Sequence, residues 1–165
     1  MATLTVTHSE NIKLNGSQQG GSNTFTVPDI TQIYKSIVTV PANSDTYLLA
    51  THSSVADAKS GTDIIGALLD VDLVKYIRIT NLDSSNSLNL SLQIDPGEDD
   101  TAANYSTTIL LAAGQSFVMG TPNDGIQTSD ANANVIADLV DLRSIIADTL
   151  ANAIQCEIFV ASINA

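Results

Sequence analysis

The sequence predicts an all-β fold, an antiparallel two-sheet β-sandwich with jelly-roll-like connections and at most one short helix. Hydrophobic and polar residues alternate along most of the chain, which is the period of a strand with one buried face. Turn-forming residues separate these segments at short intervals. The 165 residues include 17 Ser, 17 Thr and 13 Asn, and 15 of the 18 acidic residues are Asp rather than the helix-favouring Glu.

Length and composition predict a single domain over residues 1–165, with residues 1–22 as an N-terminal arm. Hydrophobic residues account for 44% of the chain and charged residues for 15%, which is enough apolar content to bury a core. The arm is expected because a threonine-rich start leads into the polar, glycine-rich segment 16–23, a turn or a mobile loop.

Short strands are expected on both sides of that polar segment. Alternating residues predict them at 4–6 and 12–14 before it. After it, a strand at 25–27 is expected to stop at Pro28. A longer β-branched run covers 33–40. Further strands are predicted, in chain order, at 47–50, 105–112, 115–119 and 154–161.

Segment 73–94 has the clearest pattern in the chain. Residues 73–80 alternate with a strand period, 83–86 form turns, and 88–94 alternate strictly between aliphatic and polar side chains. The pattern predicts a β-hairpin of two adjacent antiparallel strands. Its buried face is expected to consist of Ile77, Ile79, Leu88, Leu90 and Leu92.

Residues 135–150 fit two structures. Hydrophobic residues at helical spacing favour a helix that Asn134 would cap, whereas 143–147 also fits a strand. In a helix, Asp148 would lie at the negative end of the dipole with no basic residue in the last turn to offset it. We expect a short helical turn near 135–141, followed by a strand.

The charge balance excludes some classes of function. Six basic and 18 acidic residues give a net charge of −12, so the chain lacks the clustered cations that bind nucleic acid. It has no run of about 18 apolar residues for a membrane helix and no secretory signal at its start, so a soluble protein is expected. Cys156 alternates with aliphatic residues and is expected to be a small buried hydrophobe rather than a nucleophile.

An acidic loop contains the candidate metal site. Asp95, Glu98, Asp99 and Asp100 offer the hard oxygen ligands that calcium prefers, but they lack the alternating pattern of a twelve-residue calcium loop. A solvated acidic turn is the alternative. Glu98 and Asp99 also have the chemistry of a glycosidase pair, but an aromatic platform for a sugar ring is missing.

The residue pattern offers no support for catalysis. His8 and His52 flank strand ends without the spacing of a zinc site, and we expect both to be turn residues. Asp70 and Asp72 share one strand face and are expected to be solvated. Nucleophile-elbow and phosphate-loop motifs are absent from the sequence. We expect a protein that is not an enzyme and binds no cofactor.

The region of the predicted hairpin resembles small virion proteins of tailed, especially marine, bacteriophages. The pattern I-x-I-x-N-x-D at 77–83 leads into the alternating strand 88–92. A late segment, 142–145, precedes a closing strand at 157–161 in the same way. The resemblance covers about half of the chain, and its motifs are structural, so it assigns no catalytic residue.

This resemblance implies a β-sandwich component of the virion, made in the host cytoplasm. The first expectation is a head decoration (cement) protein that contacts the major capsid protein or other virion proteins. The alternatives are a tail- or fibre-associated protein and a glycan-binding adhesion module. Strand faces rich in Ser, Thr and Asn rather than charge favour a homo-oligomer, which we expect to be a trimer, with residues 2–14 reaching a neighbour.

Overall fold

We describe the chain in a computed structural model, which defines residues 1–51, 64–69, 73–94, 105–120, 127–128 and 140–163. Within these residues the chain forms fourteen strands. Their bounds are β1 (Ala2–Ser9), β2 (Lys13–Leu14), β3 (Ser17–Gln18), β4 (Ser22–Ile30), β5 (Gln32–Val40), β6 (Thr46–Thr51), β7 (Ile64–Leu69), β8 (Val74–Asn81), β9 (Leu88–Ile94), β10 (Tyr105–Leu111), β11 (Ser116–Gly120), β12 (Gln127–Thr128), β13 (Val140–Asp148) and β14 (Ile154–Ser162).

Eight of these strands form a jelly roll of two antiparallel sheets, which confirms the predicted fold class. The first sheet has the order β11-β8-β14-β5, and the second contains the order β10-β9-β13-β6. The eight strands can be numbered from one to eight in the chain order β5, β6, β8, β9, β10, β11, β13 and β14. The first sheet then has the order six-three-eight-one and the second the order five-four-seven-two, which is the double Greek-key order of a jelly roll. Strand β7 extends the second sheet by pairing parallel with β6, and β12 pairs with β13.

The core lies between the inner faces of the two sheets. Ile77 and Ile79 of β8 and Ile158 of β14 belong to one buried cluster with Leu90 of β9 and Ile145 of β13, and all five are fully buried. Each such side chain stabilises the fold by about 1.5–3 kcal/mol through the removal of its apolar surface from water. The regular alternation read from the sequence thus supplies the inner face of each sheet.

The predicted hairpin at 73–94 is wrong, although its buried residues were predicted correctly. Strand β8 pairs with β11 and β14, whereas β9 pairs with β10 and β13 in the opposite sheet. Residues 82–87 therefore cross from one sheet to the other. An apolar strand face is buried equally well beside a neighbour or across the sandwich, so alternation alone does not select the pairing.

Strand β4 continues past Pro28, where the sequence predicted a stop. Its pairing with β1 is irregular between Val27 and Ile30, which places Pro28 and Asp29 in a bulge. Asp29 has a φ of 59°, in the left-handed region. The proline is tolerated there because a bulge already interrupts the ladder of backbone hydrogen bonds.

The ambiguous late segment is a strand over Val140–Asp148, most of the part that the structure describes. Strand β13 begins at Val140, so Val140 and Asp141, which were expected in a helical turn, are extended. Residues 135–139 lie outside the described residues. Because β13 is hydrogen-bonded to β9 on one side and β6 on the other, the sheet outweighs the helical spacing of its apolar residues.

Candidate interaction surface

A two-stranded ribbon of β1 and β4 covers part of the outer face of the first sheet. Val6 and Val27 of the ribbon pack with Tyr76 and Ala161 of that sheet in a second hydrophobic cluster, separate from the core between the sheets. Tyr76 alternates with Ile77 along β8, so this strand is buried on both faces. The chain therefore has three layers, and the ribbon is the outermost.

A row of rings connects the ribbon to the sheet. The ring centroid of Phe25 lies 6.4 Å from that of Tyr76, and Tyr76 meets Phe159 edge-on at 6.0 Å. His8 stacks on Phe25 at 6.2 Å. Aromatic quadrupoles favour edge-on and offset arrangements at these separations. Burial raises the pKa of the Tyr76 phenol, and the positive charge of Arg78 partly counteracts that shift.

Beside the ribbon, Glu157 of β14 forms ion pairs with two basic side chains. Its Oε2 lies 3.2 Å from Nζ of Lys35, and its Oε1 accepts a hydrogen bond from the guanidinium of Arg78. The guanidinium also lies 5.7 Å from the ring centroid of Phe159. Strands β5, β14 and β8 are neighbours, and their register brings these side chains together. The cluster carries one net positive charge on a chain whose net charge is −12.

The ribbon leaves the β5 side of this outer face uncovered. Ile33 and Ile37 expose 60% and 59% of their surface there, on either side of Lys35. Ile33 pairs with Ala161, which the ribbon buries, so the uncovered surface continues directly from the covered one. Strand β5 also forms an edge of the first sheet. Ile33, Lys35 and Ile37 are termed the β5 strip below.

The far end of the ribbon, residues 10–21, is termed the ribbon tip. In it, β2 and β3 form a hairpin through Asn15 and Gly16, whose φ values of 50° and 82° are those of a type I′ turn. The Asn-Gly dipeptide is a sequence signal for this hairpin that the prediction of a polar turn or mobile loop overlooked. Ile12 and Leu14 expose 54% and 58% of their surface, and every residue from 7 to 19 is exposed.

Backbone contacts give the ribbon tip a defined structure. The N–H of Glu10 donates to the carbonyl oxygen of Gly21 at 2.8 Å, and the N–H of Gln19 donates to that of Ile12 at 2.9 Å. A Cβ atom at Gly20 would collide with the carbonyl oxygen of Glu10, so the two backbones approach closely only because Gly20 has no side chain. A polar turn or mobile loop was predicted at 16–23, where the structure shows β3, the second strand of this hairpin, and the start of β4.

A polar cluster around the buried Asn81 holds the crossover that follows β8. The side-chain amide of Asn81 donates to the carbonyl oxygens of Asn86 and Leu111 at 2.8 and 3.2 Å. Its Oδ1 accepts the N–H of Asp83 at 2.9 Å. The carboxylate of Asp83 accepts the N–H groups of Ser85 and Asn86, which lowers its pKa. The N-x-D part of the sequence pattern is thus a structural device.

Most candidate ligands predicted from the sequence cannot be placed. The predicted residues outside the described ranges are His52, Asp70, Asp72, Asp95, Glu98, Asp99 and Asp100. Among the residues that the structure describes, no group of three or more His, Cys, Asp or Glu side chains could hold a metal ion. No helix in this part of the chain is long and apolar enough to cross a membrane. The absence of enzymatic activity stays a prediction.

Two predicted residues are placed. Cys156 is fully buried in the core, as expected, and burial raises the pKa of its thiol to about 12. His8 lies within β1 and stacks on Phe25, so its assignment to a turn was wrong. Sequence reasoning missed the cluster around Glu157, because Arg78 lies 79 residues away and only the pairing of β8 with β14 brings the two together.

Comparison with known proteins identifies no family. No protein-family model matches the chain, and no curated protein matches it. A solved structure from work on Bacillus endospore appendages, described there as a novel family of disulfide-linked pili, is similar over 80% of this chain and 89% of its own. Its sequence identity is 13% and its TM-score is 0.34, so this likeness carries no inference about the present chain.

Proposed function

We propose that the protein is a structural component of a bacteriophage virion, a capsid decoration (cement) protein that stabilises the head lattice through contacts between subunits. The observation that carries the proposal is the ribbon, which is rooted in the body by buried side chains such as Val6 and exposes Ile12 and Leu14 at its tip. Apolar side chains that are exposed together on a structured hairpin are typical of contact sites with another protein.

The fold and the sequence pattern support the same class of protein. Jelly rolls recur in viral capsid proteins, although the same architecture also occurs in lectins and cupins. The pattern at 77–83 that resembles phage virion proteins forms the inner face of β8 and the crossover at Asn81. The resemblance therefore concerns residues on which the architecture depends.

The physical requirements of a cement protein agree with the body of this chain. Such a protein must hold its shape while the lattice strains it, and β8 is buried on both faces between two hydrophobic clusters. With a net charge of −12, the chain is complementary to lattice surfaces that carry Lys and Arg.

The test is the location of the chain in intact phage particles. We expect the protein to co-sediment with tailed particles at a copy number set by the capsid lattice. An electron-microscopy map of those particles should show the jelly roll on the outer surface of the head. A variant with I12S and L14S should bind the particles more weakly than the wild-type protein.

Each outcome bears on the proposal. Density on the tail or fibres would keep a virion role but make the capsid assignment wrong. Particles that lack the protein would overturn the proposal as a whole. Saturable binding on a glycan array, together with absence from particles, would favour the adhesion alternative.

A further inference from the structure

We infer that the ribbon tip of one copy docks on the β5 strip of a second copy of this chain. The contact deepens the proposed function, on which its role in a virion rests, but it is a property of the purified chain and can be tested without particles. It joins two exposed apolar surfaces that the structure leaves open, at Ile12 and Leu14 and at Ile33 and Ile37.

The two surfaces match in size. Leu14 lies in β2 and Ile12 directly precedes that strand, so the two are about 7 Å apart if the chain is extended. Ile33 and Ile37 are four residues apart on β5, about 13 Å, with Lys35 between them. The two tip side chains therefore fit between the two isoleucines, over the aliphatic part of the lysine side chain.

The acidic residue of the ribbon tip is complementary to the positive cluster, while the tip as a whole has one acidic and one basic residue and no net charge. Lys35 exposes 58% of its side chain, and together with Arg78 it outnumbers the single carboxylate of Glu157. Glu10 of the ribbon tip is exposed and precedes Ile12 by two residues. A docked tip would bring this carboxylate to the positive cluster, which fixes the orientation of the contact.

The contact also continues an interface that exists within each copy. The anchored part of the ribbon already packs Val6 and Phe25 on the outer face of the first sheet, and Ile33 borders that covered area through its pairing with Ala161. Strands β1 and β4 are paired as far as Ser9 and Ser22, so they hold the ribbon tip away from the end of the ribbon that leads into β5. The tip therefore cannot reach the β5 strip of its own chain. The occupant is therefore a second copy.

Cross-linking between distinct chains tests the geometry. A protein with L14C is mixed with an isotope-labelled protein with I37C under mild oxidation, and mixed disulfides are counted by mass spectrometry. The native Cys156 is fully buried and does not interfere. In the control mixture, a protein with L110C takes the place of the one with I37C, because Leu110 of β10 is about as exposed as Ile37. We expect several-fold more mixed disulfide with I37C, whereas equal or no cross-linking in the two mixtures would overturn the contact.

Sedimentation of the purified chain tests the energetics. The pair I12S/L14S and the pair I33S/I37S should each raise the Kd of self-association about tenfold or more, and the combination should add little because both remove the same contact. The variant L110S should leave the Kd unchanged. A wild-type chain that stays monomeric at tens of micromolar would overturn the inference, and binding of that monomer to phage heads would leave the proposed function standing.

Discussion

The side-chain amide of Asn81 donates a hydrogen bond to the carbonyl oxygen of Leu111 at 3.2 Å, joining the end of β8 to the end of β10. These two strands belong to opposite sheets. The N–H of Asn81 donates to the carbonyl oxygen of Gln115 in the connection from β10 to β11. One fully buried residue therefore holds two of the connections that cross between the sheets, the one from β8 to β9 and the one from β10 to β11.

Replacing Asn81 by Ala should lower the free energy of unfolding by about 3 kcal/mol. The substitution leaves the buried carbonyl group of Leu111 without this donor and removes the acceptor for Asp83, and each loss costs about 1–3 kcal/mol. Chemical denaturation measures the effect. The exposed Asn23→Ala on β4 is the control and should change stability by less than about 0.5 kcal/mol. Equal effects of the two substitutions would contradict this role.

Replacing Leu90 by Ala should cost about 2–5 kcal/mol, because the side chain is fully buried in the core and its loss leaves a cavity. Leu110, on the neighbouring strand β10, exposes 65% of its surface, and Leu110→Ala should cost less than about 0.5 kcal/mol. Denaturant melts of the two variants compare the same chemical change on opposite faces. A loss below about 0.5 kcal/mol at Leu90 would show that the buried face has been misassigned.

Replacing Gly20 by Ala should disorder the ribbon tip and leave the jelly roll folded. The new Cβ atom meets the carbonyl oxygen of Glu10, so the backbones must separate and the hydrogen bond from Gln19 to Ile12 is lost. Amide hydrogen exchange should show faster exchange at Gln19 and unchanged protection in β8. Gly21→Ala is the matched control, since its Cβ atom comes no closer than 4.0 Å to Glu10. Disorder in both variants, or in neither, would refute the steric argument.

Stability should fall with rising pH above the ordinary thiol pKa of 9.0, because burial raises the pKa of Cys156 to about 12. Below pH 9 the thiol is protonated in both states, and its contribution is fully present. Between pH 9 and 12 the unfolded chain loses a proton that the folded chain keeps, so stability falls by up to about 1.4 kcal/mol per pH unit. The raised pKa of Tyr76 acts in the same direction.

The variant Cys156→Ala isolates that contribution. It retains Tyr76, so it should lose only the part of the alkaline slope that comes from the thiol. Urea melts at several pH values between 8 and 11 should show the two proteins converging in stability as the pH rises. A constant difference across this range would mean that the thiol ionises equally easily in the folded and unfolded chains.

The sequence predicted which residues are buried more reliably than which strands pair. Ile77, Ile79 and Leu90 are buried as their alternation indicated, because burial depends on the local period of two. The pairing of β8 with β14 depends on contacts between residues about 80 positions apart, which no local pattern contains. The residues around Asn81 were predicted only as a turn, because a turn and a crossover between sheets use the same residue types.

The candidate surface shows the same division. The dipeptide Asn15-Gly16 is sufficient to predict its hairpin from the sequence, because a type I′ turn requires residues that tolerate positive φ. Nothing local indicated that Pro28 would lie in a bulge or that Ile33 and Ile37 would stay exposed while Val38 is buried. Those outcomes depend on where the ribbon is seated.

The sequence by itself determined the fold class, the strand-forming segments and the inward faces of the strands, because backbone geometry and the burial of apolar side chains act over a few residues. The tertiary structure decided which sheet each strand joins, which face the ribbon covers and which apolar residues remain for a partner. Those choices minimise exposed surface over the whole chain, so they depend on segments far apart in sequence that meet only when the sandwich closes.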